Sequence, residues 1–269
     1  MNDNYIVPVC TILDDILSIM NYQDDPRARI SAAEILTVAV IAAKYFQNHH
    51  ERAVCLMYRL GYISRLSVSR FNRRLHALKE YLWQVSMILG DLLRSGKIFI
   101  IDAMPMPVCK RVRASRCRKV QGKAFHGYCA SKQEYFFGWH LHLVCDAYGV
   151  PVSFDLLPAR WDELVPLQYL IEPLGTGTKV VADKGYISQN DQLLAWTDGI
   201  YIVAKFRKNM RGNSPEDAQL IAKHRSMIET VNSQLEKMGL QRLHARTNEG
   251  FVVKMLASLV ALAFTNSIN

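Results

Sequence analysis

The stretch KVVADKGYIS, residues 179 to 188, sets Asp183 directly behind an apolar run, and KIFIID, residues 97 to 102, does the same with Asp102. A buried strand that ends in a carboxylate delivers its charge to the rim of a sheet, where ligands and metals are met. A third acid is available from the predicted helix over 215 to 238, which carries Glu216, Asp217, Glu229 and Glu236. Its apolar positions Ile221, Ile228, Val231 and Leu235 predict the buried face, and Glu229, beside Ile228 and four residues after Arg225, flanks that face. Glu216 and Asp217 are first-turn acids of the kind a helix dipole favours. If Asp102, Asp183 and Glu229 converge at one rim they repel, and a pair of divalent cations resolves the repulsion. Oxygen ligands of this type suit magnesium or manganese. Two such ions activate a water or hydroxyl and stabilise the leaving oxygen in phosphoryl transfer.

Other acids have simpler explanations. Asp146 lies in the turn DAYG, where Asp is favoured by turn geometry. Asp162 precedes ELVPLQYL as a predicted N-cap, and Asp155 sits inside a predicted strand.

The charge around Asp102 is of the opposite sign. No acidic residue occurs between Asp102 and Glu134, and residues 110 to 123, KRVRASRCRKVQGK, hold seven Lys or Arg in fourteen positions. Taken alone, such a run reads as a mobile charged loop. Its start beside Asp102 favours substrate contact, with Lys110, Arg111, Arg113, Arg116, Arg118 and Lys119 against phosphates. The whole chain, with 33 Lys plus Arg against 24 Asp plus Glu and a net charge of +9, leans the same way, toward a polyanion such as nucleic acid.

The elements that must position these residues fall into two parts. Residues 1 to 95 read as helical: Val9, Ile12, Leu13, Ile16, Leu17 and Met20 recur with a helical period, and Ser31 with Glu34 forms a capping box ahead of AAEILTVAVIAAKYF. A third helix is predicted from Phe71 to Leu92 on one continuous apolar stripe, closing near Gly96. Its start, SVSRFNRRLHALK, is either a solvated basic face or a DNA-reading helix, in which case Arg73 and Arg74 are the base-contact candidates. From 96 to 269 the order is βββαβαβα, with Ser214 capping and Pro215 opening the long helix. That order predicts a mixed sheet with helices on both faces, and the whole an α+β protein.

The N-terminus lacks the basic start and cleavage site of a secretory signal, which predicts a cytoplasmic protein. The apolar segment 251 to 264 is short for a membrane span and reads as a core helix, so no membrane partner is expected. The six cysteines contain no CxxC pair and read as free thiols; Cys109, Cys117, His126 and Cys129 match no standard zinc spacing.

Several segments together resemble a known family: SAAEILTVAV and SVSRFNRRLH, then IDAMPMPVC, FFGWHLHLVCDAYGVPVSFDLLPA, VVADKGYIS, RKNM and HRSMIETVNSQL. The chain resembles, over nearly its whole length, the DDE transposases of bacterial insertion sequences, and most closely the insertion sequence 982 family. The resemblance implies a ribonuclease-H-like catalytic domain at 96 to 269 with an acidic triad on Asp102, Asp183 and Glu229, and an N-terminal domain at 1 to 95 for DNA-end binding or dimerisation. It implies two Mg2+ or Mn2+ ions, double-stranded DNA partners (the element's terminal inverted repeats and a target), and a homodimer on DNA, nucleoid-associated in a bacterial or archaeal cell. The implied activity is cleavage at element ends and joining of 3′ ends to target DNA. An element-derived regulator without catalysis, or a related nuclease without strand transfer, are the alternatives. Related enzymes carry Tyr, Arg, Glu and Lys around the third acid. Here Arg225 and Glu229 keep their interval, Ala222 stands at the Tyr position, and Glu236 at the Lys position with Lys237 one residue later. Lys184, Arg225 and Lys237 are the DNA-contact candidates near the acids.

Overall fold

The computed structural model describes residues 3–130, 132–206 and 213–267. The RKNM segment, residues 207–210, lies outside the described residues. The chain divides into two compact units: residues 1–92 together with 235–269, and residues 93–234.

The first unit is helical: α1 (Asp3–Ile19), α2 (Ala32–Phe46), α3 (His50–Arg59), α4 (Val68–Ala77), α5 (Lys79–Leu93) and, from the C-terminus, α9 (Asn248–Ser267). The capping box forms as the spacing requires, with Glu34 N–H donating to Ser31 Oγ at 3.1 Å and Ser31 N–H to Glu34 Oε2 at 2.5 Å. Helix α1 starts earlier than expected and keeps Pro8 inside it, on its exposed side. The predicted third helix is two helices: at Leu78 the N–H is shared between the carbonyls of Arg74 and Leu75, a tighter turn that interrupts the α ladder while Phe71, Leu75, Leu78, Leu82, Val85 and Leu89 stay on one buried stripe.

Residues 235–269 correct the expected division, which placed them with the sheet. Helices α2 and α9 are apolar nearly all round, so each is stable only when surrounded, and they pack on each other in the helical unit. Asn48, fully buried, ties that packing by donating from Nδ2 to Met238 O at 3.0 Å and Ser258 Oγ at 2.9 Å. Helix α9 is long and apolar enough to cross a membrane by length and composition, yet its side chains from Phe251 to Phe264 are mostly buried in this unit.

The second unit is a six-stranded mixed sheet made of β1 (Ile98–Lys110), β2 (His126–Cys129), β3 (Glu134–Asp146), β4 (Pro151–Pro158), β5 (Thr178–Ala182) and β6 (Ile200–Ala204). The order is β2-β3-β1-β5-β6, with β4 also on β3. Short helix α6 (Leu167–Ile171) and α7 (Gln189–Thr197) pack on one face around Phe99, Ile101, Val144, Val180 and Ile202, and α8 (Pro215–Lys237) reaches the opposite face. Helix α8 is capped as read, Asp217 N–H donating to Ser214 Oγ at 3.1 Å. Apart from the short β2, which the sequence pattern had not distinguished, the expected βββαβαβα order is present, and with the helical unit it makes an α+β fold.

Candidate active site

Strands β1 and β5 run parallel, and their last paired rung is Ile101 against Ala182. Asp102 and Asp183 are the next residue on each, so their side chains project side by side from the same face. Asp102 does not end its strand as expected. Antiparallel pairing with β3 carries β1 on to Lys110, because β3 has thirteen residues to offer where β5 has five. Asp102 is thus held in mid-strand opposite Leu143, while Asp183 leads into a short 3-10 turn and is exposed.

Helix α8 meets the pair through Asn232, whose Nδ2 donates to Asp102 Oδ2 at 2.9 Å. Burial pushes the Asp102 carboxyl above its usual range; the Asn232 amide and the Ala103 N–H oppose that shift, and the charge of Asp183 adds to it. Glu229 lies one turn before Asn232, about 60° round the helix. Its exposed carboxylate is 3.6 Å from Arg225 Nε. Among the described residues no three His, Cys, Asp or Glu side chains stand close enough together to hold a metal. The structure therefore brings Asp102 and Asp183 together and leaves Glu229 on the adjoining helix surface.

Glu163, which sequence reasoning used only to mark the start of a helical segment, belongs to this neighbourhood. Its carboxyl is pushed up to about 7, by burial first and then by the charges of Asp102, Asp183 and Asp162. It rests against Gly185, where any Cβ would overlap its carboxylate. The glycine in ADKGY is the one trace of this contact in the sequence. Tyr186 next to it is fully buried, and its hydroxyl has no hydrogen-bond partner among the described residues. Burial, then Glu163, Asp102, Asp183 and Asp162, pushes that phenol well up.

The competing acids have structural partners. Asp146 is fully buried and accepts from the N–H groups of Tyr148 and Val150 at 2.9 Å and Ser95 at 3.0 Å. Asp162 accepts from Leu164 N–H at 2.9 Å, and Asp155 from Leu156 N–H and the Tyr169 hydroxyl.

Of the basic candidates, Lys110, Arg111, Arg113, Arg116, Arg118 and Lys184 are exposed, with Arg111 to Arg116 forming a 3-10 turn at the end of β1. Lys119 is half-buried with Nζ 3.5 Å from Val108 O, and Lys237 is exposed in the last turn of α8. In the helical unit Arg73 is exposed, whereas Arg74 is turned inward onto Asp24, at 2.9 Å, and the Ile30 carbonyl.

Two acids on neighbouring parallel strands of a mixed sheet, with helix α8 meeting the same face through Asn232, are an arrangement similar to ribonuclease-H-like transposase folds. Residues 93–249, more than half of the chain, match the family described as Transposase DDE domain, and the chain belongs to that family. A piggyBac transposase synaptic complex with hairpin DNA, seen by cryo-EM, superposes with a TM-score of 0.52 at 15% identity, covering 99% of this chain and 72% of that one. A pre-cleavage Mos1 transpososome matches with a TM-score of 0.24 and 10% identity over 83% of this chain and 82% of that one. At these identities the first likeness speaks to the fold alone. No curated protein matches the sequence.

Proposed function

We propose that this DDE-family protein is an insertion-sequence transposase, nearest to the insertion sequence 982 family, that cleaves phosphodiester bonds at its element's ends and joins the freed 3′ ends to target DNA. The observation that carries the reading is the Asp102–Asp183 pair, side by side on one face one residue beyond the last β1–β5 rung. The carboxyl of Asp102, pushed up by burial and by its neighbour, is a donor that gains from a nearby divalent cation, and the side chain bonded to it, the Asn232 amide, is neutral. The donor set is all oxygen and suits magnesium or manganese. Asp102, Asp183 and Glu229 would hold two such ions, with Glu229 exchanging its exposed Arg225 partner for them. When bound, the ions supply water or hydroxyl activation and stabilisation of the leaving oxygen. Asn232 would fix the orientation of Asp102, and Glu163, its carboxyl pushed up by burial and by the aspartate charges, stands beside the pair. The exposed basic turn at 111–116 and Lys184 would grip phosphates, with Arg225 and Lys237 on α8 near the third acid.

The DNA partners would be the terminal inverted repeats and a target duplex, held by a homodimer assembled on DNA in the cytoplasm of a bacterial or archaeal cell, near the nucleoid. The helical unit would supply end recognition or dimerisation, with Arg73 its exposed candidate for base contact. Incubation with labelled element-end DNA, a target plasmid and Mg2+ tests the reading. Joined products are the expected result. Nicked or cut ends without joining would reduce the activity to that of a nuclease, and specific binding without cleavage would make the protein a regulator.

A further inference from the structure

The hairpin of β2 and β3 carries an aromatic ladder on the sheet face that also bears Asp102. On β3, Tyr135, Phe137, Trp139, Leu141 and Leu143 alternate onto this face, and Leu143 stands directly across from Asp102. The inner rungs are packed: Phe125 lies edge-on to Trp139 with ring centroids 4.7 Å apart, and His126 to Phe137 at 5.0 Å. Packing accounts for these rings. It does not account for the outermost rung, Tyr128 paired with Tyr135, which remains 48% and 56% exposed. The two rings are 4.8 Å apart, tilted by 50°, and the Arg111 guanidinium sits 4.6 Å from the centre of the Tyr135 ring. Lys110, Arg113 and Arg116, all exposed, flank Arg111 on the adjoining strand end and turn.

We propose that the Tyr128–Tyr135 rung, with Arg111 across it, is a stacking ledge for unpaired bases of a DNA strand. The inference rests on the DNA partner proposed above and adds the form of DNA that this surface takes. Each exposed ring offers an apolar face that a flat partner can cover, and the surrounding cations select a polyanion. A duplex meets only the cations, since its bases are already stacked; an unpaired base offers a free π-face to both tyrosines and the guanidinium. The rung lies eight residues along β3 from the position opposite Asp102, roughly 27 Å at strand rise, so one DNA molecule could touch the ledge and the acids together.

The test measures anisotropy of the full-length protein with labelled oligothymidine and, separately, a blunt duplex of equal length at one salt concentration. Tyr128→Ala and Tyr135→Ala should each weaken oligothymidine binding by roughly 5- to 100-fold, with duplex affinity unchanged and Tyr128→Phe and Tyr135→Phe close to wild type. Equal losses on both DNAs, or no loss on either, would overturn the ledge. Wild-type binding to duplex but not to oligothymidine would overturn it too while leaving the transposase reading intact. Failure of the wild type to bind either DNA would remove both. Because both side chains are half exposed, far-ultraviolet circular dichroism should be unaltered in every variant.

Discussion

In the helical unit, charge that approaches the interior is matched locally: Arg74 is held by Asp24 and the Ile30 carbonyl, Lys44 donates to Thr265 Oγ1 at 2.9 Å, and the buried His50 shares a hydrogen bond with Asn72. The sheet unit does the reverse. Burial and the charge of Asp183 raise the proton affinity of Asp102, burial and the aspartate charges raise that of Glu163, and the arginines of the 111–116 turn stand exposed with no acidic residue between positions 102 and 134. Both units contain basic stretches that look similar as charge, yet one uses an arginine to fasten its own loop and the other turns its arginines outward to solvent. Unmatched charge costs stability, and a fold retains it where a ligand supplies the missing sign.

The largest expected effect tests the acids. Asp102→Asn and Asp183→Asn keep shape and remove an anionic ligand, so Mg2+-dependent cleavage of element-end DNA should fall by about 1,000-fold or more with DNA binding retained. Glu229→Gln should follow them, while Glu236→Gln and Asp162→Asn keep near wild-type cleavage; a dead Glu236→Gln with an active Glu229→Gln would move the third acid one turn pair along α8. In metal-free buffer at neutral pH, Asp102→Asn should also melt higher, since it removes a charge that folding raises in energy.

Next in size is the exposed turn. Replacing Arg111, Arg113, Arg116 and Arg118 by Gln should leave the melting temperature nearly unaltered and flatten the salt dependence of duplex binding by about 0.9 in log–log slope for each phosphate that is no longer neutralised. An unchanged slope takes the turn out of the DNA interface and erases the contrast with the helical unit. Arg74→Ala should behave oppositely. It strands Asp24 and the Ile30 carbonyl, and denaturant unfolding should show a loss of about 1–2 kcal/mol. If stability holds while discrimination between end and random DNA falls, Arg74 is a reading residue after all.

The smallest effect sharpens the contrast by pH. Glu163 has a folded-state pKa of about 7 against an ordinary 4.5, so the folded protein keeps a proton that the unfolded chain releases between those values. Stability from this group is full below about 4.5 and declines as pH rises to 7, with Asp102, Asp183 and Asp162 as the charges it faces. Glu163→Gln should therefore raise the melting temperature at pH 8 and leave it unaltered at pH 4. Gly185→Ala, which displaces the carboxylate from its resting place, should weaken that pH dependence; a pH-independent difference in Glu163→Gln would mean the group does not feel the aspartates.

Much of this was legible in the residues. Two apolar runs, each ending in Asp, predicted two strands that deliver their acids toward a sheet rim because strand alternation and burial are local properties, whereas their pairing as neighbours depends on the whole sheet. The capping box at Ser31 and the Ser214–Pro215 helix start are equally local and form as read. Glu163 was not legible: it sits on a connecting segment with no periodicity, and only the room left by Gly185 hints at it. Asn232 was hidden likewise, since nothing in a helical stretch tells which polar side chain will find an aspartate from residue 102. Arg74 misled for the same reason, its partner Asp24 being fifty residues away.

By itself the sequence determined the βββαβαβα order of the sheet unit apart from β2, the caps at Ser31 and Ser214, the apolar character of α9 all round its circumference, and the placement of Asp102 and Asp183 beyond apolar strand residues. Each follows from the 3.6- and 2-residue periods and from turn chemistry, interactions that span a few residues. Only the tertiary structure decided that α9 packs with α2, that β1 continues past Asp102 on β3, that α8 meets Asp102 through Asn232 while Glu229 turns to Arg225, and that Tyr128 is set beside Tyr135 and Arg111. These depend on strand register and on which apolar faces find each other, interactions between residues far apart in the chain whose free energy is decided by the whole packed unit.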